Sequence, residues 1–328
     1  MIFKCKNCSG NVIYSPEKKK MVCPFCDSEE SQERKEYPEH EKDLTLCPNC
    51  GGQIPVEVHT AASQCPYCDN YLIFNSRVEG ENQPQYVLPF QLGKEECKGK
   101  IRQKFKKCVF APTDFLSEAR LNTIQGDYVP FWLYDYDTVT DFWAEGRKVR
   151  SWVSGNYRYT ETSYYQIHRN MSLDFRKVPA DASTAMPDDV MDLMEPYDYS
   201  VLQEYKPDYL SGFMAEKYNL PAIQYIDRVK HKVQSDVDSY MRGTYSGYQS
   251  VSPISSKTDY HNEAAKYALL PVWVYHYEYG GKEYPFYVNG QTGKIVGNVP
   301  VSKSKVLSYA GTLWLSLTAI LLLLVFAF

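Results

Sequence analysis

Eight of the ten cysteines fall into four Cys-x₂-Cys pairs within the first seventy residues. Cys5 and Cys8 are followed, after fourteen intervening residues, by Cys23 and Cys26; Cys47 and Cys50 are followed, after fourteen more, by Cys65 and Cys68. A two-residue spacer turns both sulfurs toward one ion from a single tight turn, and two such turns complete a tetrahedron. The spacing therefore predicts two Cys₄ zinc ribbons holding two Zn²⁺ ions. Four thiolates leave no open coordination position, so the ions are expected to be structural. Each cysteine of the second set lies 42 residues after its counterpart, and Cys23-Pro24-Phe25-Cys26-Asp27 matches Cys65-Pro66-Tyr67-Cys68-Asp69, which marks a duplicated unit. The competing redox reading of Cys-x-x-Cys needs one pair ahead of a thioredoxin-like helix, not four pairs.

Short strands must carry these turns. Val12-Ile13-Tyr14, Met21-Val22 and Ile54-Pro55-Val56 supply them. Units of this size bury little apolar surface, so metal is expected to provide most of their folding free energy. Ribbon 1 is placed at residues 1–27, a charged linker at 28–43, ribbon 2 at 44–75 and a second linker at 76–85. An antiparallel-sheet α+β domain is expected over 86–302. The 29 tyrosines favour strands there. Residues 129–136 (VPFWLYDY) and 270–277 (LPVWVYHY) resemble each other, which suggests duplicated halves.

Residues 142–151 and 156–170 read as a strand meander, and 94–109 as a basic amphipathic helix facing either the sheet or an anionic surface. Residues 187–195 read as a short acidic helix begun at Ser183 or Thr184, and 209–218 and 224–243 as further helices. Asn289-Gly290-Gln291-Thr292-Gly293 reads as a hairpin turn, with the glycines where positive φ is required.

At the other end, 306–328 runs 23 residues without a charge, about 34 Å as a helix, against a hydrocarbon core of roughly 30 Å. A transmembrane helix is expected. A buried core helix is the alternative, disfavoured because only Ser308, Tyr309, Thr312, Ser316 and Thr318 interrupt the run. Met1 to Lys6 reaches the first cysteine pair without an apolar stretch, and Lys303 and Lys305 precede the span. Residues 1–302 are therefore expected in the cytoplasm, tail-anchored in a single pass.

Catalytic motifs are absent from the sequence: no His-Glu-x-x-His, Gly-x-Ser-x-Gly, EF-hand loop or dinucleotide fingerprint occurs. The histidines (40, 59, 168, 231, 261 and 276) are scattered. The chain is read as a non-enzyme without catalytic residues. The alternative is a hydrolase using the acidic segment 181–198, with Asp181, Asp188, Asp189, Asp192, Glu195 and Asp198. Cys97 and Cys108, eleven residues apart on one helix face, are read as core thiols. The formal charge is −4, and eight thiolates with two divalent ions bring it to about −8, which disfavours phosphate backbones. Ribbon 2 contains no Lys or Arg from 46 to 75, so nucleic-acid binding through the ribbons is the weaker reading.

With the ribbons, Ile124-Gln125-Gly126-Asp127-Tyr128-Val129-Pro130-Phe131-Trp132, Met186-Pro187-Asp188-Asp189, Glu195-Pro196-Tyr197-Asp198-Tyr199, and Tyr267-Ala268-Leu269-Leu270-Pro271-Val272-Trp273 with 289–294, the chain resembles the bacterial transcription-factor-B-type zinc-ribbon proteins that end in a membrane segment. The resemblance covers nearly the whole length. It implies a scaffold or adaptor at the inner membrane face, in a membrane-stress complex with SPFH/flotillin-like proteins or phage-shock protein A, and lipid contact through the terminal helix. It implies no catalytic residues.

Overall fold

The computed structural model describes residues 1–37 and 44–327. The end of the charged linker at 38–43, His40 and Phe328 lie outside the described residues. In chain order the elements are β1 (Ile2–Cys5), β2 (Ile13–Ser15), β3 (Lys20–Val22), β4 (Gln32–Lys35), β5 (Leu44–Leu46), β6 (Gln53–Pro55), β7 (Thr60–Gln64), β8 (Tyr71–Ile73), α1 (Asn75–Val78), β9 (Tyr86–Val87), α2 (Lys94–Phe105), α3 (Glu118–Leu121), β10 (Gln125–Ser154), β11 (Tyr157–Asp181), α4 (Asp188–Met194), β12 (Gln203–Glu204), β13 (Met214–Glu216), α5 (Ile226–Gly243), β14 (Ser250–Tyr279), β15 (Lys282–Asn289), β16 (Ile295–Val296) and α6 (Lys303–Ala327). The class is α+β. The chain divides into two compact units, Met1–Val129 with Ala185–Lys217 and Leu269–Phe328, and Pro130–Thr184 with Tyr218–Ala268.

In the first unit, small antiparallel pairs carry the cysteine turns: β1 with β4, β2 with β3, and β5 with β6. β4 lies inside the charged segment 28–43. The larger sheet is mixed rather than antiparallel throughout, because Asp127 and Tyr128 of β10 pair in parallel with Met214 and Ala215 of β13. β13 follows β10 by a long excursion and not by a tight hairpin, and only a tight hairpin forces neighbours to run antiparallel. β13 pairs in turn with β7, and β7 with β8, both antiparallel.

The core of this unit is aromatic. Phe90 stacks on Phe213 at 4.1 Å and meets Tyr128 and Trp273 edge-on, each at 5.0 Å. Trp273 Nε1 donates to the Leu92 carbonyl at 3.0 Å, and the Tyr275 hydroxyl donates to that of Phe115 at 2.9 Å. Large rings thus fill the interior, and Trp273 and Tyr275 turn their polar ends to backbone acceptors, which offsets the penalty of burying those two groups.

The second unit is a long hairpin with a helix across it. β10 and β11 pair antiparallel from Phe131↔Asp181 out to Ser154↔Tyr157, turning at Gly155, whose φ is +60°. The expected meander is thus one continuous ribbon. α5 lays Val229, Val233, Val237 and Met241, spaced by four, on one side of it. Its first three valines pack with Tyr134, Tyr136 and Ala180.

Asp181 is fully buried and pairs with Arg228 of α5 at 3.0 Å. Arg228→Ala would remove the guanidinium that pairs with this buried carboxylate. It is expected to lower unfolding stability by about 3–5 kcal/mol, read from denaturant midpoints.

Several sequence expectations change. Residues 209–218 are not helical: a 3₁₀ turn at Pro207–Leu210 gives way to β13, because Gly212 takes φ +104°. α4 starts after Pro187, not at Ser183 or Thr184, since the residue before a proline is driven out of the helical region. α2 ends at Phe105, so Cys108 sits beyond it and is exposed, while Cys97 is buried. In the 289–293 turn only Gly293 needs its positive φ, +75°.

α6 is 25 residues long, about 37 Å. The stretch Lys303–Leu324 is long and apolar enough to cross a membrane, and none of its apolar window is buried within the protein. A core helix of a soluble protein would be covered on at least one face.

Candidate metal centre

The eight predicted ligands come together as two quartets, Cys5, Cys8, Cys23 and Cys26, and Cys47, Cys50, Cys65 and Cys68, with each quartet's sulfurs within 4.8 Å of one another. Cys5 and Cys26 Sγ lie 3.6 Å apart, Cys8 and Cys23 3.4 Å, and the equivalent pairs of the second quartet both 3.7 Å. Thiolates at about 2.3 Å from one tetrahedral ion stand about 3.8 Å apart, whereas a disulfide needs about 2.05 Å. Both quartets therefore have the geometry of a zinc site.

Four near-identical turns build the quartets. In each, the amide after the second cysteine donates to the carbonyl of the first: Ser9 to Cys5 at 2.8 Å, Asp27 to Cys23 at 2.9 Å, Gly51 to Cys47 at 2.8 Å and Asp69 to Cys65 at 3.0 Å. Those four residues all take positive φ, from +56° to +74°. Asp and Gly tolerate that region, Asp through local hydrogen bonding and Gly for want of a Cβ.

This position was missed in the sequence, although Gly51, Asp27 and Asp69 offered the signal. A second repeated device is the aromatic residue between Pro and Cys. A Cβ on Gly10 would meet the Phe25 ring, and a Cβ on Gly52 would overlap the Tyr67 ring. One ring closes each quartet over a glycine from the opposite turn. Gly51→Ala has open space and is expected to cost about 1 kcal/mol of backbone strain. Gly52→Ala should weaken metal retention further by displacing Tyr67, with Gly52→Ala/Tyr67→Ala recovering part of the loss in a chelator competition.

In the metal-free thiol form the sulfurs are not equivalent. The Ser31 hydroxyl and the Cys8 amide draw Cys5 down to about 6, the Ser28 hydroxyl lowers Cys26, and burial pushes Cys47 up to about 12. Metal binding must expel the proton from a thiol such as Cys47, so retention falls as the solution is acidified.

Asp181 belongs to the second unit and Asp188, Asp189, Asp192, Glu195 and Asp198 to the first. Among the described residues, the cysteine quartets are the only groups of three or more His, Cys, Asp or Glu with ligand atoms so close together. Asp198 accepts the Ser200 amide at 2.9 Å, as a cap does. His168 stacks on Trp143 at 3.9 Å and bonds Asp141 at 2.6 Å on an exposed face, and His276 bonds Glu283. On α2 the lysines are not uniformly solvated: Lys98 is buried and holds Glu95, Glu118 and the Asn122 side chain.

No family model matches the chain, and no solved structure matches it. Among known proteins, the "Uncharacterized protein YdjG" of Bacillus subtilis (strain 168) is 39% identical over 333 residues, covering 98% of this chain and 98% of that protein. With 39% identity over nearly the full length of both proteins, the chain belongs to the YdjG family.

Proposed function

We propose that the chain is a membrane-tethered zinc-ribbon scaffold that recruits protein partners to the cytoplasmic face of a bacterial membrane. The observation that carries this reading is the pairing of two closed four-thiolate sites with one uncovered apolar helix. A zinc with four sulfur ligands has no position for substrate or water, so the ions hold surfaces in shape instead of reacting. The helix fixes those surfaces beside the bilayer. The ribbons form a duplicated module, and the similar strands at 129–136 and 270–277 are read as a second duplication. The resemblance to the transcription-factor-B-type zinc-ribbon membrane proteins suggests partners of the SPFH/flotillin or phage-shock protein A kind, in a membrane-stress complex.

The β10–β11 tip is the surface we assign to partner contact. Trp152 stacks on Tyr159 at 5.6 Å, Arg150 lies over Trp152, and Arg147 lies over Tyr164. Tyr157 is 71% exposed and Tyr164 61%. Rigid aromatic side chains beside Arg are the composition of binding hot spots, and the cations of this tip favour an acidic protein face.

Affinity purification of the full chain from detergent-solubilised membranes tests the reading. A stoichiometric protein partner is expected, reduced at least tenfold by Trp152→Ser/Tyr159→Ser. Recovery of nucleic acid alone would overturn it.

A further inference from the structure

We infer that the loop after α2 forms, with the start of α6, a binding site for one anionic phospholipid. Lys106, Lys107, Cys108, Val109 and Phe110 are all exposed, Val109 by 67%. Three contacts hold this loop to the helix: the Ser302 amide donates to the Phe110 carbonyl at 2.8 Å, Lys305 Nζ donates to the Ala111 carbonyl at 2.7 Å, and the Phe110 ring meets Tyr309 edge-on at 5.5 Å. Between loop and helix runs a groove of about 470 Å³, lined by Val109, Phe110, Lys305, Ser308, Tyr309 and Thr312 among others.

Depth and charge decide what fills it. Tyr309 and Thr312 stand about 9 and 14 Å along the helix from Lys303, within the apolar run, so the groove reaches below the headgroup level of the bilayer that α6 crosses. In water Val109 and Phe110 would extend an apolar patch that is already large; against acyl chains they are buried. Lys305 lines the groove; Lys106 and Lys107 precede the lining residue Val109 by three and two residues, and Lys303 directly precedes the lining residue Ser304. The sequence carries no Asp or Glu from 97 to 113 or from 284 to 328.

A groove lined by Lys305, with three more lysines beside its lining residues in sequence and no carboxylate in either contributing segment, selects a lipid with net negative charge over a zwitterionic one. The lipid's phosphate meets the lysines, and one acyl chain lies along Phe110 and Tyr309. The two loop lysines project from the surface without an ion pair among the described residues, so they are available to the headgroup.

The inference rests on α6 spanning the membrane, and the test separates the two. The full chain is reconstituted into vesicles of phosphatidylcholine, or of phosphatidylcholine and phosphatidylglycerol in equal parts, with a trace of either lipid spin-labelled. Spin-labelled phosphatidylglycerol is expected to be immobilised by the protein about fivefold more strongly than spin-labelled phosphatidylcholine, the factor one lysine supplies at an anionic surface. Lys106→Gln/Lys107→Gln, which alters only exposed side chains, is expected to lower that preference at least twofold, with Lys303 and Lys305 retaining the remainder. Equal immobilisation by the parent, or an unchanged preference in the variant, overturns the lipid site. Release of the parent from the vesicles by alkaline carbonate would instead overturn the membrane-spanning reading on which it rests.

Discussion

Replacing Cys65 by Ser is expected to remove one zinc per chain and to unfold the second ribbon, with damage reaching the edge of the main sheet. The size of the effect follows from what the ribbon has in place of a core. The buried cluster it shares with Ile2 of β1 consists otherwise of Cys47, Ile54, Val56, Cys65, Leu72 and Phe74, so two of the seven members are themselves predicted ligands. A structural zinc contributes about 10–16 kcal/mol of apparent binding free energy at neutral pH, more than so small a core can replace. Because β7 and β8 flank Cys65 and also belong to the sheet through β13, loss of this ion should loosen that edge.

Cys23→Ser removes the first ion in the same way, but β2 and β3 form a separate two-stranded sheet, so the damage should stay more local. Zinc content and limited proteolysis measure both. Lowering the pH should reproduce the loss in the parent chain, since each thiol must be deprotonated to bind.

Placing Arg at both Leu317 and Ile320 is expected to shift the protein from the membrane fraction to the soluble or aggregated one. Both side chains are more than half exposed and lie near the middle of α6. A cation at mid-bilayer costs about 2.5–3.5 kcal/mol on insertion scales, so the pair opposes the span by about 5–7 kcal/mol. The uncharged exchange of both residues to Val should leave fractionation unchanged. Retention of the double Arg chain in carbonate-washed membranes would argue against a spanning helix.

The two cysteine quartets were the most legible part of the sequence, because residue identity and spacing are local properties that folding does not alter. The backbone feature that makes the turns possible was equally local yet went unread: Ser9, Asp27, Gly51 and Asp69 all follow the second cysteine and all take positive φ. The apolar terminus was legible for the same reason as the cysteines, being one charge-free run.

The sheet was harder. β10 runs 30 residues and carries exposed Trp and Val at its tip, so the alternation that marks a half-buried strand fades there and a single ribbon looks like several strands. In 209–218, Tyr209, Leu210, Phe213 and Met214 fall at helical spacing, but the left-handed Gly212 breaks the turn. The parallel pairing of β10 with β13, and the burial of Asp181 against Arg228 47 residues later, depend on distant partners that no local window contains.

The most direct measurement is the zinc-to-chain ratio of the full-length protein taken from a carbonate-washed membrane fraction. The protein is expected in that fraction, carrying two zinc ions per chain. Protein recovered only in the soluble fraction, or a membrane-bound chain with clearly fewer than two zinc ions, would contradict it.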